Sequence, residues 1–512
     1  MFLESTISDI ENYPFLNPFR FENDPSKKYW HISTLESLLE ENWNSIEEGV
    51  TENREYLAAR EKIFSSSVFQ YFTDQKNRII QESLETDNSF QILGAYTCLL
   101  DSIVQTAFDY SFIDIPLIKE RLLEELNHEL NYKQKNLPEK KEKLKLLKEQ
   151  ILEMEKNLES GSSSSREYRY FQEVESQHES ETRVLEERIE ELQQLIPQIQ
   201  EFTNDKNFVL NHLVIFARGG YGRAELGLSS DRDLGYCLDT NRLNNGEAEM
   251  LRQLIVHIEN LLRNSGVETA HQYFEIDEDL SRFDEVNTLH TIPSILESRV
   301  LLGSESLATN LKNRFFQVIT FEPYVLNLVR SFSESKEPEL NRMDLKMDYG
   351  GLRSLQIPLW ITAATFGIFP SQTADLLAFL IQKHLLSHRQ ALKLCQALEF
   401  LHDLRNFSAV AKEHYFDDEA RDIGCVQENL LQDQLNDSLE RLYLLKKNRF
   451  KNVDEFDRFR LQMMEQIGEL SKVILDRLLD RTIVRTFSKF QVVVHLGNRR
   501  VVEIHALEGL PQ

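Results

Sequence analysis

One stretch, from Leu213 to Asp239, constrains this chain of 512 residues more than any other. It opens as an apolar run, Leu213 to Ala217, and breaks at Gly219-Gly220. It then passes through a glycine-containing segment into a second apolar run that carries Asp231 and Asp233 at its start. Apolar runs interrupted by glycines predict a strand, a turn and a second strand. Residues two apart in a strand project to one face, so Asp231 and Asp233 are expected to point together. Two such carboxylates are hard-oxygen ligands for a divalent cation. A glycine pair ahead of a helix lets backbone N–H groups come close to a phosphate. Side by side, these parts imply phosphoryl- or nucleotidyl-transfer chemistry.

Charge narrows the partners. The 84 acidic residues outnumber the 58 lysines and arginines, giving a net charge of −26. Such a surface repels phosphate backbones, so no nucleic-acid partner is expected, whereas a nucleotide can bind through local dipoles and metal. The four cysteines, Cys98, Cys237, Cys395 and Cys425, form no Cys-x-x-Cys pair. They read as reduced thiols of a cytoplasmic protein without structural zinc. The start lacks a signal-peptide pattern and no window reaches membrane-span length, so no membrane partner is expected.

The chain divides by its patterns. Residues 1–117 are expected to form an N-terminal helical domain, irregular to about residue 30, with a capping box at Ser33-x-x-Glu36. Helical periodicity follows over Tyr56–Phe72 and Phe90–Phe112. Residues 118–200 carry two heptad stripes: Leu144, Leu147, Ile151, Met154 and Leu158, then Leu185, Ile189, Leu192, Ile196 and Ile199. The polar segment Gly161 to Ser165 between them predicts an antiparallel coiled-coil hairpin, with Pro138 kinking or interrupting its first arm. The stripes fit a structural spacer and a docking or dimerisation arm equally well. Asn244–Asn264 reads as a helix ended by Gly266, and Val267–Ile276 as a further strand.

Gly219-Gly220-Tyr221-Gly222-Arg223-x-Glu225-Leu226, followed by Ser230-Asp231-x-Asp233, resembles the nucleotidyltransferase signature of the DNA polymerase beta superfamily. More narrowly it is similar to bacterial uridylyltransferases that modify the PII signalling protein. A second block, Lys346-x-Asp-Tyr-Gly350-Gly351-Leu-Arg353, resembles the motif that introduces that family's helical domain. Between them, Arg299 and Gly303 stand where the family closes its nucleotidyltransferase domain. Later, the helix over 391–406 resembles one ending in an arginine, here Arg405, but departs from the family at Asn406-Phe407. His402 and His414 read as surface or core histidines. His271 has a counterpart in the family, with a structural role equally open.

The resemblance implies a mixed, mostly α chain: a small α/β nucleotidyltransferase domain with a mixed sheet at 201–305, flanked by helical domains and the hairpin. A uridylyltransferase-like helical domain is expected at 306–485, and a β-hairpin about Gly497-Asn498 in a tail at 486–512. The implied activity is transfer of NMP from an NTP to a hydroxyl of a protein acceptor. Asp231 and Asp233 would be catalytic and hold Mg²⁺ or Mn²⁺. Gly219, Gly220, Arg223, Ser230, Lys346 and Arg353 would bind the nucleotide, with Glu225 orienting Arg223. Glu268 and Glu275 are the candidates for a third carboxylate, although each also fits an ordinary surface glutamate. The alternatives are a catalytically silent nucleotide-binding scaffold acting through its coiled coil, and a nucleotidyltransferase for a small molecule. A homodimer through the coiled coil is compatible with either. Neither the family's phosphohydrolase domain nor its ACT domains are expected from the pattern of residues 1–512.

Overall fold

The computed structural model describes residues 35, 39 and 53–506, apart from 86–88, 160–164, 229, 277–284, 319–320, 339–343, 370–371, 417–449, 451–452, 480–481, 487–489 and 496–500. The expected capping box at Ser33, most of the Gly161 to Ser165 reversal, Cys425 and the Gly497-Asn498 turn lie outside the described residues.

The fold is mostly helical around a small mixed sheet. Helices α1 (Asn53–Glu85) and α2 (Ser89–Ile113) pack on each other, and the apolar periodicity seen in the sequence supplies the contact. Two long helices follow, α3 (Ile115–Glu159) and α4 (Ser165–Glu201). Cross-helix ion pairs join Lys140 to Glu181, Lys148 to Glu179 and Arg188 to Glu129, so residue numbers rise on one helix as they fall on the other. The two helices therefore run in opposite directions. Pro138 does not interrupt α3, which is helical on both sides of it. One lost backbone donor in a solvent-facing turn is tolerated where the neighbouring helix supplies packing and ion pairs.

After the short helix α5 (Lys206–His212), β1 (Leu213–Ala217) enters the sheet with every residue buried. The glycine pair forms a single helical turn, α6 (Gly219–Gly222), before β2 (Asp233–Leu238). Helix α7 (Asn245–Asn264) starts on a capping box from Asn244 to Glu247 and ends before Gly266, whose φ of +70° marks the chain reversal. Strands β3 (Ala270–Glu275) and β4 (Arg299–Gly303) complete the order β3-β2-β1-β4. The β2–β3 pair is parallel and the others antiparallel, so the sheet is mixed as expected.

The two central strands, β1 and β2, are buried on both faces, which is why they read as continuous apolar runs rather than alternating ones. Leu213, Ile215, Ala217, Leu234, Tyr236 and Leu238 join the core built with α1, α2 and α7. Val214, Phe216, Cys237 and Phe274 face the core of the later helices. Those begin with α8 (Glu285–Leu296), which precedes β4, and α9 (Glu305–Val318) and α10 (Phe321–Ser333), which follow it. They continue with α11 (Leu352–Phe366), α12 (Thr373–Gln382), α13 (His388–Phe416) and α14 (Val453–Leu479). Helices α11, α13 and α14 pack together.

The tail differs from its expectation. Three antiparallel strands, β5 (Thr482–Thr486), β6 (Phe490–His495) and β7 (Val501–Ala506), form a second sheet, one strand more than the expected hairpin. No helix among the described residues is long and apolar enough to cross a membrane.

Candidate functional site

At the end of β1 the chain turns sharply, and two features of the sequence make the turn. Gly219 takes φ +55°, a left-handed conformation that costs a residue with a Cβ. Gly222 lies so close to the backbone that a Cβ there would meet the Glu297 carbonyl oxygen at 2.6 Å and the Ala217 carbonyl oxygen at 2.9 Å. Asp233 opens β2 beside this turn, and its Oδ2 lies 3.2 Å from where a Cβ on Gly219 would sit. Asp231 precedes the strand rather than lying in it. The two carboxylates nonetheless line the same cavity.

That cavity, of about 290 Å³, lies where the sheet meets the later helices. Gly219, Gly220, Arg223, Ser230, Asp231 and Asp233 come from the sheet side, and Lys346 and Arg353 from the helical side. All eight metal- and nucleotide-site residues expected from the two motifs, far apart in sequence, thus share one cavity wall or the other. Gly350, between Lys346 and Arg353, explains the second motif's glycines. It takes φ +80°, and a Cβ would stand 1.9 Å from the Met464 carbonyl oxygen of α14. Only glycine brings that loop down onto α14 and so presents Lys346 and Arg353 to the sheet.

Beneath the cavity lies a buried charge network. Arg223 donates Nε to Glu225 at 2.8 Å and Nη1 to Glu297 at 2.6 Å, and Trp360 donates Nε1 to Glu297 at 2.7 Å. Burial disfavours the charge on Arg223, but Glu297 and Glu225 outweigh it and hold the guanidinium firmly protonated. The expected salt bridge to Glu225 is present, and the second carboxylate, Glu297, is one that no motif announced.

The upper walls are segregated by charge. On one side, burial pushes the Asp233 carboxyl up, Arg218 offsets this only in part, and Asp231 adds to it. On the other, burial and then the neighbouring Arg353 and Arg405 push the Lys346 ammonium down. Burial, helped by Arg223, pushes Arg353 down to about 10. Its Nε is buried without a hydrogen-bond partner, and its guanidinium lies 4.7 Å from the Trp360 ring centroid. Two carboxylates on one wall thus face a cluster of cations on the other. The acidic wall fits a hard divalent cation, and the basic wall fits a polyphosphate.

Three residues of α13, named from the sequence without being assigned to the site, bear on it. His402 and Arg405 line the cavity rather than lying on the surface or packing as ordinary core. Burial pushes the His402 imidazole down to about 4, which keeps it neutral. Asn406, where the chain departs from the family pattern, accepts the Leu228 N–H at 3.3 Å through its side-chain oxygen and so ties α13 to the loop ahead of Asp231. Only the resemblance of the helix ending at Arg405 pointed here, because its spacing is that of any core helix. His414 lies among residues whose side chains are not described.

The two candidates for a third carboxylate fall elsewhere. Glu275 pairs with Leu238 at the far end of β2 and is held by Arg252 at 2.7 Å. Glu268 precedes β3, and its carbonyl accepts from Arg232 at 3.2 Å. Neither lines the cavity. Parallel register places Ala270 beside Asp233 and Gln272 beside Gly235, so the polar residue of β3 on the Asp233 face is a carboxamide, bonded to Arg218. Among the described residues, no group of three or more His, Cys, Asp or Glu is arranged to hold a metal. His271 sits on the opposite face of β3, 3.3 Å from Glu259, and Arg299 is paired with Asp101, so neither reaches the cavity.

Comparison with known proteins bears on the helical half of this site and on the chain as a whole. The family model described as GlnD PII-uridylyltransferase matches residues 330–474, the helical side with Lys346, Arg353 and Arg405. A bifunctional uridylyltransferase/uridylyl-removing enzyme of Rhodospirillum rubrum is 24% identical over 282 residues, 52% of this chain and 27% of that enzyme. The enzyme of the same name from Ectopseudomonas mendocina is 30% identical over 206 residues, 38% of this chain and 21% of the enzyme. That from Zymomonas mobilis is 29% identical over 165 residues, 31% of this chain and 17% of the enzyme. The chain thus spans less than a third of the length of these relatives. It is similar to PII uridylyltransferases, as its motifs imply, and its relatives are nucleotidyltransferases.

Proposed function

We propose that this chain is a metal-dependent nucleotidyltransferase that moves NMP from an NTP to a hydroxyl of a protein acceptor, in a regulatory role and in the cytoplasm. The observation that supports this best is the cavity itself, with carboxylates on the sheet wall and cations on the helical wall. The likeness to PII uridylyltransferases supplies the reaction class; the donor base and the acceptor are not carried over with it.

Asp231 and Asp233 would hold Mg²⁺ or Mn²⁺, which when bound polarises phosphoryl oxygens. The chain's own groups supply the rest. The Gly219 and Gly220 backbone N–H groups at the start of α6 would donate to the phosphates, and the Ser230 hydroxyl would add a donor. Lys346, Arg353 and Arg405 neutralise the triphosphate and hold the pyrophosphate as it departs. Their charges are desolvated before the substrate arrives, so a polyanion entering the cavity restores what burial removed. The acceptor oxygen forms its bond to the α-phosphorus while the bond from that phosphorus to the bridging oxygen breaks, its electron pair leaving with pyrophosphate and the acceptor's hydroxyl proton passing to water. Arg223, held by two carboxylates, shapes the floor on which Gly220 rests rather than chelating phosphate. We further propose that α3 and α4 form a coiled-coil hairpin on which the acceptor, or a second copy of the chain, docks.

The test is transfer of label from α-³²P-NTP to a protein band in the presence of Mg²⁺. Label on a protein, lost in Asp231→Asn with Asp233→Asn, is the expected result. Label in a small-molecule fraction would move the acceptor to that class. Gln272, on the Asp233 face of β3, favours one second reading, a silent nucleotide-binding scaffold. Nucleotide binding without any labelled product would establish that one.

A further inference from the structure

The tripeptide Asp231-Arg232-Asp233 carries an arginine between its two carboxylates, and this arginine is held from outside the sheet. Its Nε and Nη2 donate to the Tyr96 hydroxyl at 3.2 and 3.0 Å, and its guanidinium lies 5.2 Å from the Phe72 ring centroid. Tyr96 is fully buried on α2. Five residues further along, Asp101 accepts hydrogen bonds from both Nη groups of Arg299, at 2.9 and 3.0 Å. Arg299 in turn lies 5.9 Å from the ring centroid of Tyr221, the buried residue at the centre of the glycine turn. The same helix therefore grips both halves of the motif, one through Arg232 and one through Arg299.

Helix α2 is well placed for this. It packs against α7, β4 and α13, the last being the helix that carries His402 and Arg405. Leu93 belongs to the core of the later helices, whereas Tyr96, Leu99, Leu100 and Ile103 belong to the core on the other face of the sheet. Neither Tyr96 nor Asp101 lines the cavity. Packing alone needs no hydroxyl at residue 96 and no carboxylate at residue 101.

We propose that Tyr96 and Asp101 are positioning residues, through which the N-terminal helices set the Asp231-Arg232-Asp233 tripeptide and the Gly219–Gly222 turn. Tyr96 fixes the Arg232 side chain and with it the backbone angle at which the two carboxylates leave the chain. Asp101 fixes Arg299 under Tyr221 and so the height of the glycine turn. This inference rests on the transferase reading, but its first readout does not need turnover.

Full-length Tyr96→Phe and Asp101→Asn would each be titrated with Mn²⁺ alone by calorimetry, then compared with wild type for pyrophosphate release. Removing such an outer support lowers metal affinity or activity by about 10- to 100-fold. The expected result for Tyr96→Phe is a fall in Mn²⁺ affinity of about 10-fold and a fall in kcat in that same range. KM for the nucleotide and the melting temperature would stay at wild-type values, and Asp101→Asn would behave likewise on kcat. Mn²⁺ affinity equal to wild type in both variants would overturn the proposal, as would a loss of kcat that merely tracks loss of folded protein. Should the wild type bind Mn²⁺ yet turn over no NTP even with host lysate present to supply an acceptor, the transferase reading fails and the Mn²⁺ titrations alone decide the positioning role.

Discussion

Glu297 is the residue on which the cavity floor depends. It is buried, burial raises its carboxyl, and it is held by Arg223 and Trp360 together. Deleting one partner of a buried ion pair strands the other charge, at about 3–5 kcal/mol. Glu297→Ala should therefore lose about that much in urea unfolding, and a loss below about 1 kcal/mol would contradict the network. Trp360→Phe, which removes one hydrogen bond to a charged group, should cost only about 1.5–3 kcal/mol. A second buried group carries a pH signature. His257 is wedged between Asp114 and Glu61, and although burial works against its charge, their hydrogen bonds raise its pKa above the ordinary 6.5. Its stabilisation is fully present below the unfolded value and is lost as pH rises through the higher folded value. The stability gap between wild type and His257→Gln should accordingly shrink from pH 6 to pH 9 in chemical unfolding. A gap that widens over that window would show that His257 is held neutral.

At the scale of elements, glycines decide where the two halves of the site meet. Gly350→Ala forces a Cβ into the Met464 backbone at a left-handed φ, so it should destabilise the protein by at least about 1–3 kcal/mol and weaken nucleotide binding. Unchanged melting and binding would mean that the loop has another resting place. This is also where the sequence was most and least informative. The glycine–aspartate string was legible because its backbone demands are local: a left-handed residue at Gly219, no Cβ at Gly222, and a carboxylate opening β2. Helices α1, α2 and α7 were legible from apolar periodicity and caps. His402 and Arg405 were not legible as cavity residues, because α13 has the spacing of a core helix and its meeting with the sheet is tertiary. Glu297 was silent for the same reason. Strand β5 was missed because Thr482–Thr486 is short and sits within three residues of the end of a long amphipathic helix. Pro138 misled because the helix rule weighs a lost backbone bond, whereas α4 supplies compensating packing.

The whole molecule joins a compact body to a long pair of helices. Helix α3 alone has 45 residues, roughly 67 Å at about 1.5 Å per residue. The root of the pair is fastened to the body: Ile118, Leu122 and Leu126 of α3 and Leu192, Ile196 and Ile199 of α4 are buried in the core that contains α7. Its outer part is ion-paired and largely exposed, and it displays Tyr132, Leu146, Leu152 and Tyr170 to solvent. Replacing residues 133–187 by a short Gly/Ser linker should therefore leave the body's melting transition and its nucleotide affinity intact. Label transfer to the protein acceptor should fall by at least about tenfold if the arm docks it, the factor set by about 1.4 kcal/mol of lost binding. Equal transfer by the shortened chain would make the arm a spacer. The central claim is that the cavity between sheet and helices is a triphosphate site built on Asp231 and Asp233. Its most direct test titrates the purified protein with ATP, UTP, GTP and CTP plus Mg²⁺ and follows binding and pyrophosphate release with host lysate present. The account predicts binding and release with a preferred nucleotide, and loss of release in Asp231→Asn/Asp233→Asn at an unchanged melting temperature. No binding of any nucleotide, or release that survives the double substitution, would contradict it.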